Sequence, residues 1–390
     1  MNFSQMMWRG VALGSVAGVI YVASRRTGGE PPRLIQWDRV RQTAADLSRR
    51  DQHHATTVTS ETIETYQQMV RRSEEVIGDY LKQTLPLPLS NVEAFDRVQW
   101  IDANVSSFQQ LFEPLESINR NALEGATIGS HLMGSFNQLF LSNQLGFLVG
   151  YLAGRVLGQY DTTLLGREPV TTGRLYFVEP NIAATQQRLS LNGEEFRMWI
   201  ALHETTHAFE FEAHPWLRDY MNDLLKRYFD TVGQDLGRFS VGPAGAVGLA
   251  QRAWQNAGRT KSPLEWLMSD EQRDIFQKLQ SLMCLLEGYS NHVMDAVGEK
   301  LLATYPFMKH RFEARQQERP MGERLFNRLT GLDMKYEQYR LGEQFVNAQV
   351  KVIGIDRFNL VWEGPSNLPT MAEIYEPERW RERTQVAKGR

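Results

Sequence analysis

His203-Glu204-Thr205-Thr206-His207 sets two imidazoles four residues apart within an apolar run from Trp199 to Phe211. On a helix such residues lie about 40° apart, so both rings leave one face and form a two-point claw for a metal ion. Glu204 projects roughly 100° from His203, a poor place for a ligand but within reach of a water on such an ion. It is placed as a general base. With 8 histidines among 390 residues, chance yields this pattern about 0.01 times per chain, so context has to decide.

The context is helical. No Gly or Pro interrupts residues 194–213, Trp199, Ile200, Leu202 and Phe209 offer core contacts, and Pro215 supplies a stop. A catalytic zinc takes three protein ligands and leaves a fourth position for water, so a third ligand is needed. Glu287 is the leading candidate. A helix opening near Ser269 carries an apolar stripe from Ile275 to Val297, and Glu287-Gly288 interrupts its middle. A carboxylate there is costly unless paired, and either a zinc ion or an arginine answers the need. His292 is the rival; five residues put it about 140° from Glu287, too far round one straight helix for both to bind one ion. Asn291 shares the face of Glu287 and is a candidate to orient a ligand, as is Asp295, eight residues on. Glu210, seven residues after His203, is either a brace for the site or an ordinary surface acid. Tyr289, His292, Tyr336 and Tyr339 are candidates for stabilising an oxyanion.

The elements that must position these groups are mostly helices. Trp37–Arg50, Ser60–Thr84, Asn91–Leu115 and Trp216–Phe229 show helical spacing of apolar residues. Ala122–Gly158 is apolar and rich in glycine, with Gly146, Gly150 and Gly154 forming one smooth ridge, and reads as a central buried hairpin of helices. Leu175–Ile182 is the best strand, ended by Pro180; an edge strand there suits an extended peptide, and a short buried connector strand is the equal alternative. Gly233–Thr260 reads as a loop, with a lid as its sharper interpretation, and Ser262-Pro263-Leu264-Glu265 as a helix start. The basic residues between Pro320 and Arg340 suit a solvated face or a clamp for a substrate carboxylate.

Composition bounds the rest. At 42% hydrophobic and 23% charged residues the chain is globular, and a net charge of −3 without a long basic run excludes a nucleic-acid footprint. The single cysteine, Cys284, sits among leucines and fits a core position in a reducing, cytoplasmic compartment. Residues 11–23 form an apolar run shorter than the roughly 20 residues that span a bilayer, so a packed or peripheral helix is expected first, a weak membrane anchor second and a cleaved signal third.

Trp199–Ala208, Leu285–Asp295, and Gly331–Lys335 with Gln338-Tyr339-Arg340 resemble the bacterial zincin-like hydrolases of actinobacteria and chloroflexi. Trp100-Ile101 with Ala103-Asn104, and Trp362-Glu363 with Asn367-Leu368-Pro369-Thr370, resemble the same family. The resemblance runs from Trp37 onward and implies a mainly α fold with a zincin-like helical core and a small β element near the active-site helix. It implies residues 33–390 as one domain, with lobes 33–165 and 166–390 as a variant, after a segment over residues 1–32. It further implies a zinc-dependent metalloprotease-like activity, one Zn2+ per chain on His203, His207 and Glu287, and a gluzincin-like arrangement. Some family members carry a label for coenzyme F420 biosynthesis, which implies no chemistry here. The metzincin pattern is excluded, because Glu210 and Ala213 stand where it needs Gly and His, and His214 is one residue out of place. Tyr289 stands where the family commonly has His, so no role carries over to it. The expected function is hydrolysis of a peptide or small amide; the alternative is a zincin scaffold that binds metal or a partner without turnover.

Overall fold

The structure, a computed structural model, describes residues 33–50, 57–123, 128–161, 173–239, 251, 254, 266, 268–317 and 332–386. It is mainly α with one small sheet. The helices are α1 (Trp37–Arg50), α2 (Ser60–Leu81), α3 (Arg97–Leu123), α4 (Ile128–Ala153), α5 (Glu179–Leu189), α6 (Gly193–Glu212), α7 (Trp216–Phe239), α8 (Asp270–Leu301), α9 (Tyr305–Gln317), α10 (Leu332–Ile353), α11 (Ile355–Phe358), α12 (Met371–Tyr375) and α13 (Pro377–Val386). The strands are β1 (Val92–Phe95), β2 (Gly158–Asp161) and β3 (Arg174–Val178), in the order β1-β3-β2.

Two compact units emerge. Within the described residues, one gathers those up to Thr43 with Phe108–Val149 and Asp223–Phe276; the other gathers Ala44–Ser107, Gly150–Asn222 and Gln277 onward. In the first, the Glu116 carboxylate accepts from the backbone N–H groups of Leu34 (2.7 Å) and Ile35 (3.0 Å) just ahead of α1. Gly146 lets α4 meet α1: a Cβ there would fall 2.7 Å from that of Thr43.

The second unit holds the sheet, α2, α6 and most of α8. Tyr66, Val70, Ser73, Ile77 and Leu81 form the buried stripe of α2, which packs on α6, and Thr59 starts α2 with a capping box. Helix α6 is buried almost all round, and Asn192 caps it, its Oδ1 accepting from the N–H groups of Glu194 and Glu195, both at 3.0 Å. Helix α8 opens on a second capping box, Ser269 with Gln272. Helices α8 and α10 cross backbone to backbone: a Cβ on Gly342 would lie 1.9 Å from the carbonyl oxygen of Cys284, and one on Gly288 2.2 Å from the carbonyl carbon of Gly342. Only glycine at both positions permits that approach.

Several local expectations change. Val92–Phe95 is a strand parallel to β3, with alternating burial, and Asp96 caps α3 by accepting from Val98 (2.7 Å) and Gln99 (2.8 Å); the expected helix therefore starts six residues late, at Arg97. Pro180 does not follow a strand running to Ile182 but opens helix α5, where its missing N–H costs nothing. Strand β3 is the centre of the sheet, and β2, antiparallel to it, forms one edge, with β1 at the other. Among the described residues of Ala122–Gly158, the end of α3 is followed by α4 and then β2, and α4 is half-buried rather than central where its side chains are described: Gln138 and Asn143 bond to Gln36 and Arg39, and Phe147 faces solvent. Gly233 lies inside α7. The lid expectation, the helix start at Ser262 and the apolar run 11–23 lie outside the described residues, as does the basic stretch from Pro320 up to Gly331. Among the described residues no helix is long and apolar enough to cross a membrane.

Candidate metal centre

Helix α6 presents His203 and His207 one turn apart, their rings 4.7 Å between centroids. Helix α8 brings Glu287 to them: its Oε2 lies 3.7 Å from His203 Nε2 and 3.6 Å from His207 Nε2. Side-chain exposures of 18%, 15% and 6% leave the group open to solvent on the histidine side. One ligand atom from each residue lies within 4.8 Å of the others, a spacing able to hold a metal ion.

The far nitrogens determine whether this donor set suits a cation. His207 Nδ1 is 2.8 Å from Oε2 of Glu210, a carboxylate 1% exposed, so Glu210 accepts from Nδ1–H and leaves Nε2, the nitrogen that a metal would take in place of a proton, facing Glu287. His203 Nδ1 is 3.0 Å from Ser290 Oγ, whose proton goes to the carbonyl oxygen of His203 at 3.1 Å. Ser290 therefore accepts from Nδ1–H, and His203 also turns an Nε2 lone pair to the same point. Two imidazole lone pairs and one buried carboxylate form a donor set that fits zinc.

Electrostatics agree. Burial by itself would strip the proton from His207, but the carboxylates of Glu210 and Glu287 reverse this and raise it well above the ordinary imidazole range. Burial also pushes the Glu210 carboxyl up to about 7. A group that grips a proton so strongly binds cations in competition with it. Glu210 is thus a buried brace, not a surface acid.

Glu204 leaves the claw and meets the sheet. Its Oε2 accepts from the N–H of Tyr160 at 3.0 Å, and Gly158 makes room for it: a Cβ there would fall 2.7 Å from Glu204 Cγ. Strand β2 is held at three further points. Gln159 Oε1 accepts from Trp100 Nε1 (2.9 Å) and Gln159 Nε2 donates to Asn104 (3.2 Å), while the Tyr160 hydroxyl donates to Glu212 at 2.5 Å.

The remaining candidates lie elsewhere. His292 bonds through Nε2 to the Tyr80 hydroxyl (2.8 Å) and through Nδ1 to Asn347 (2.7 Å), outside the ligand group. Tyr289 is buried, packs edge-on against Trp362, and donates to Asn359 at 2.8 Å. Asp295 receives Lys309 at 2.5 Å and the Tyr305 hydroxyl, forming a separate polar cluster. Asn291 is half-buried, and the neighbouring Ser290 makes the contact to His203. His214 stacks on Trp362 and donates to the carbonyl of Glu210, and burial holds its pKa below the ordinary value. Tyr336 and Tyr339 belong to α10, but their side chains lie outside the description.

A match to the zincin-like metallopeptidase family spans residues 35–380. The chain belongs to that family. The crystal structure of a "putative hydrolase with a novel fold" from Chloroflexus aurantiacus is similar at 41% identity and a TM-score of 0.65, over 90% of this chain and 99% of that one. No curated protein matches the chain. Family and neighbour together make this zincin-like chain a metallohydrolase in general terms.

The sequence alone missed Ser290, Gly158 and Tyr160. Ser290 had a readable signal, three residues after Glu287 and on its helix face. Gly158 and Tyr160 had none, because their contact with Glu204 joins residues some 44 positions apart through the fold.

Proposed function

We propose that this chain is a zinc-dependent hydrolase of amide bonds, a peptidase or amidase with one zinc per chain on His203, His207 and Glu287. The observation that carries the reading is the convergence of two Nε2 atoms on a buried carboxylate, with both Nδ1 atoms turned onto oxygen partners. Zinc supplies Lewis acidity at such a set, polarising a carbonyl and making a water nucleophilic near neutral pH.

The chain's own groups do the remaining work. Glu204 accepts the proton from the attacking water and returns it to the leaving amine, a contribution of about 10²–10⁴-fold for a positioned general base. The N–H of Tyr160 aims the Glu204 carboxylate. Strand β2, the sheet edge beside that carboxylate, suits an extended backbone, which favours a peptide or a small peptide-like amide as substrate.

The test compares the full chain with Glu204→Gln for zinc content and for turnover of a peptide library. Equal zinc, one per chain, with cleavage by the parent alone is the expected result. A parent that holds no zinc would sink the reading, and equal zinc with turnover by neither would leave a metal-binding scaffold.

A further inference from the structure

The four residues Glu287-Gly288-Tyr289-Ser290 put two groups of different chemistry on one turn of α8, both facing α6. Ser290 is fully buried. A serine inside a helix ordinarily returns its hydroxyl to the carbonyl four residues back, which here would be Leu286. Ser290 instead reaches across to α6, where Oγ meets the carbonyl oxygen of His203 at 3.1 Å and the ring nitrogen Nδ1 of the same residue at 3.0 Å.

The chemistry of that double contact allows one arrangement. A carbonyl only accepts, so the single hydroxyl proton of Ser290 goes to it, and the Oγ lone pair is left for Nδ1–H. The hydroxyl thereby selects the tautomer of His203 whose Nε2 carries no proton, and it holds the ring plane toward Glu287 and His207 Nε2. His207 receives the same service from an anionic partner, Glu210. Ser290 gives it to His203 without adding a further negative charge to a site that already contains Glu287, Glu210 and Glu204.

We infer that Ser290 is a positioning residue for the metal centre, fixing the tautomer and orientation of His203 so that α8 supplies both one ligand and the support of another. The inference rests on the metal-binding reading above and extends it to a residue three positions beyond the third ligand.

The experiment uses the full chain, stripped of metal and titrated with Zn2+ against a chromophoric chelator, with Co2+ as a spectroscopic probe. Parent, Ser290→Ala and Ser290→Thr are compared, together with the thermal melting of each metal-free chain. Expected is a zinc affinity about 10–100-fold weaker in S290A, the size seen when the outer partner of a metal-bound histidine is removed, with altered cobalt d–d bands. Recovery toward the parent in S290T, which keeps the hydroxyl, supports the same conclusion. A drop in metal-free stability in S290A with the parent's zinc affinity and cobalt spectrum overturns it, since Ser290 would then only tie two helices together. If S290T does not fold, the S290A affinity and spectrum decide alone. A parent that binds neither ion refutes the metal-binding reading itself, an outcome distinct from an S290A chain that binds like the parent.

Discussion

At the scale of single residues the site works by turning side chains away from their default partners. Glu204 is adjacent to His203 yet belongs to the sheet, because the Tyr160 N–H and the bare Cα of Gly158 define its berth. Gly158→Ala tests that berth. The new Cβ would sit 2.7 Å from Glu204 Cγ and 2.8 Å from its Oε1, so either the strand or the carboxylate must move. With Glu204 as base, the variant keeps its zinc and loses turnover, with overpacking costing about 1–3 kcal/mol of stability. Zinc content, turnover and urea unfolding measured on one preparation check this; full activity in G158A would show that Glu204 needs no such berth.

At the scale of elements, the position of Glu287 depends on how closely α8 approaches its neighbours. The α8–α10 crossing has no side chains between the backbones at Gly288 and Gly342, directly beside the Glu287 carboxylate. Gly342→Ala forces its methyl to within 1.9 Å of the carbonyl oxygen of Cys284, and rigid backbone cannot yield as a flexible side chain would. We expect a loss of about 3 kcal/mol or more, at the upper end of overpacking costs, and a lower urea midpoint with weaker zinc binding. An unchanged midpoint would mean that the helices can separate without penalty. The edge strand follows the same logic: Gln159 and Tyr160 anchor β2 to α3 and to the end of α6, so its backbone is held where Glu204 needs it.

At the scale of the molecule, the C-terminal helices close onto the core that carries the site. Trp380 is buried, packs at 5.4 Å from Phe358, and donates to the carbonyl of Asn367 at 2.7 Å. Arg383 grips Glu373 with Nε at 2.6 Å and Nη2 at 3.1 Å, while Glu373 accepts from the Thr370 N–H at 2.8 Å. Burial raises the carboxyl pKa of Glu373, but the bonds to Arg383 and Thr370 outweigh it and leave the net value below the ordinary one. A carboxyl depressed on folding adds stability above its unfolded pKa, near 4.3 for Glu, and that stability is lost as pH falls through the folded value. Glu373→Gln should therefore destabilise the chain by about 1–2 kcal/mol at pH 7, and the gap to the parent should narrow as pH drops below about 4. Denaturant unfolding across that range measures it; a gap that widens in acid contradicts the assignment.

What could be read from the linear chain was whatever repeats with the period of one helix. The histidine pair, the glutamate between them and the carboxylate interrupting an apolar stripe are local patterns, and Pro215 and Ser269 mark the end of α6 and the start of α8 closely. The short strands were harder: Val92–Phe95 spans four residues, too few for its alternation to stand out from the helix that follows. Tertiary structure alone decided what depends on separate segments meeting. It made β3 central and β2 an edge, seated Gly158 and Tyr160 against Glu204, turned Ser290 rather than Asn291 to His203, and diverted His292 to Tyr80 and Asn347. Periodicity is a property of neighbours along the chain, whereas these contacts are selected by the packing of whole elements, and apart from Ser290, which shares a helix face with Glu287, the residues carry no signature of them.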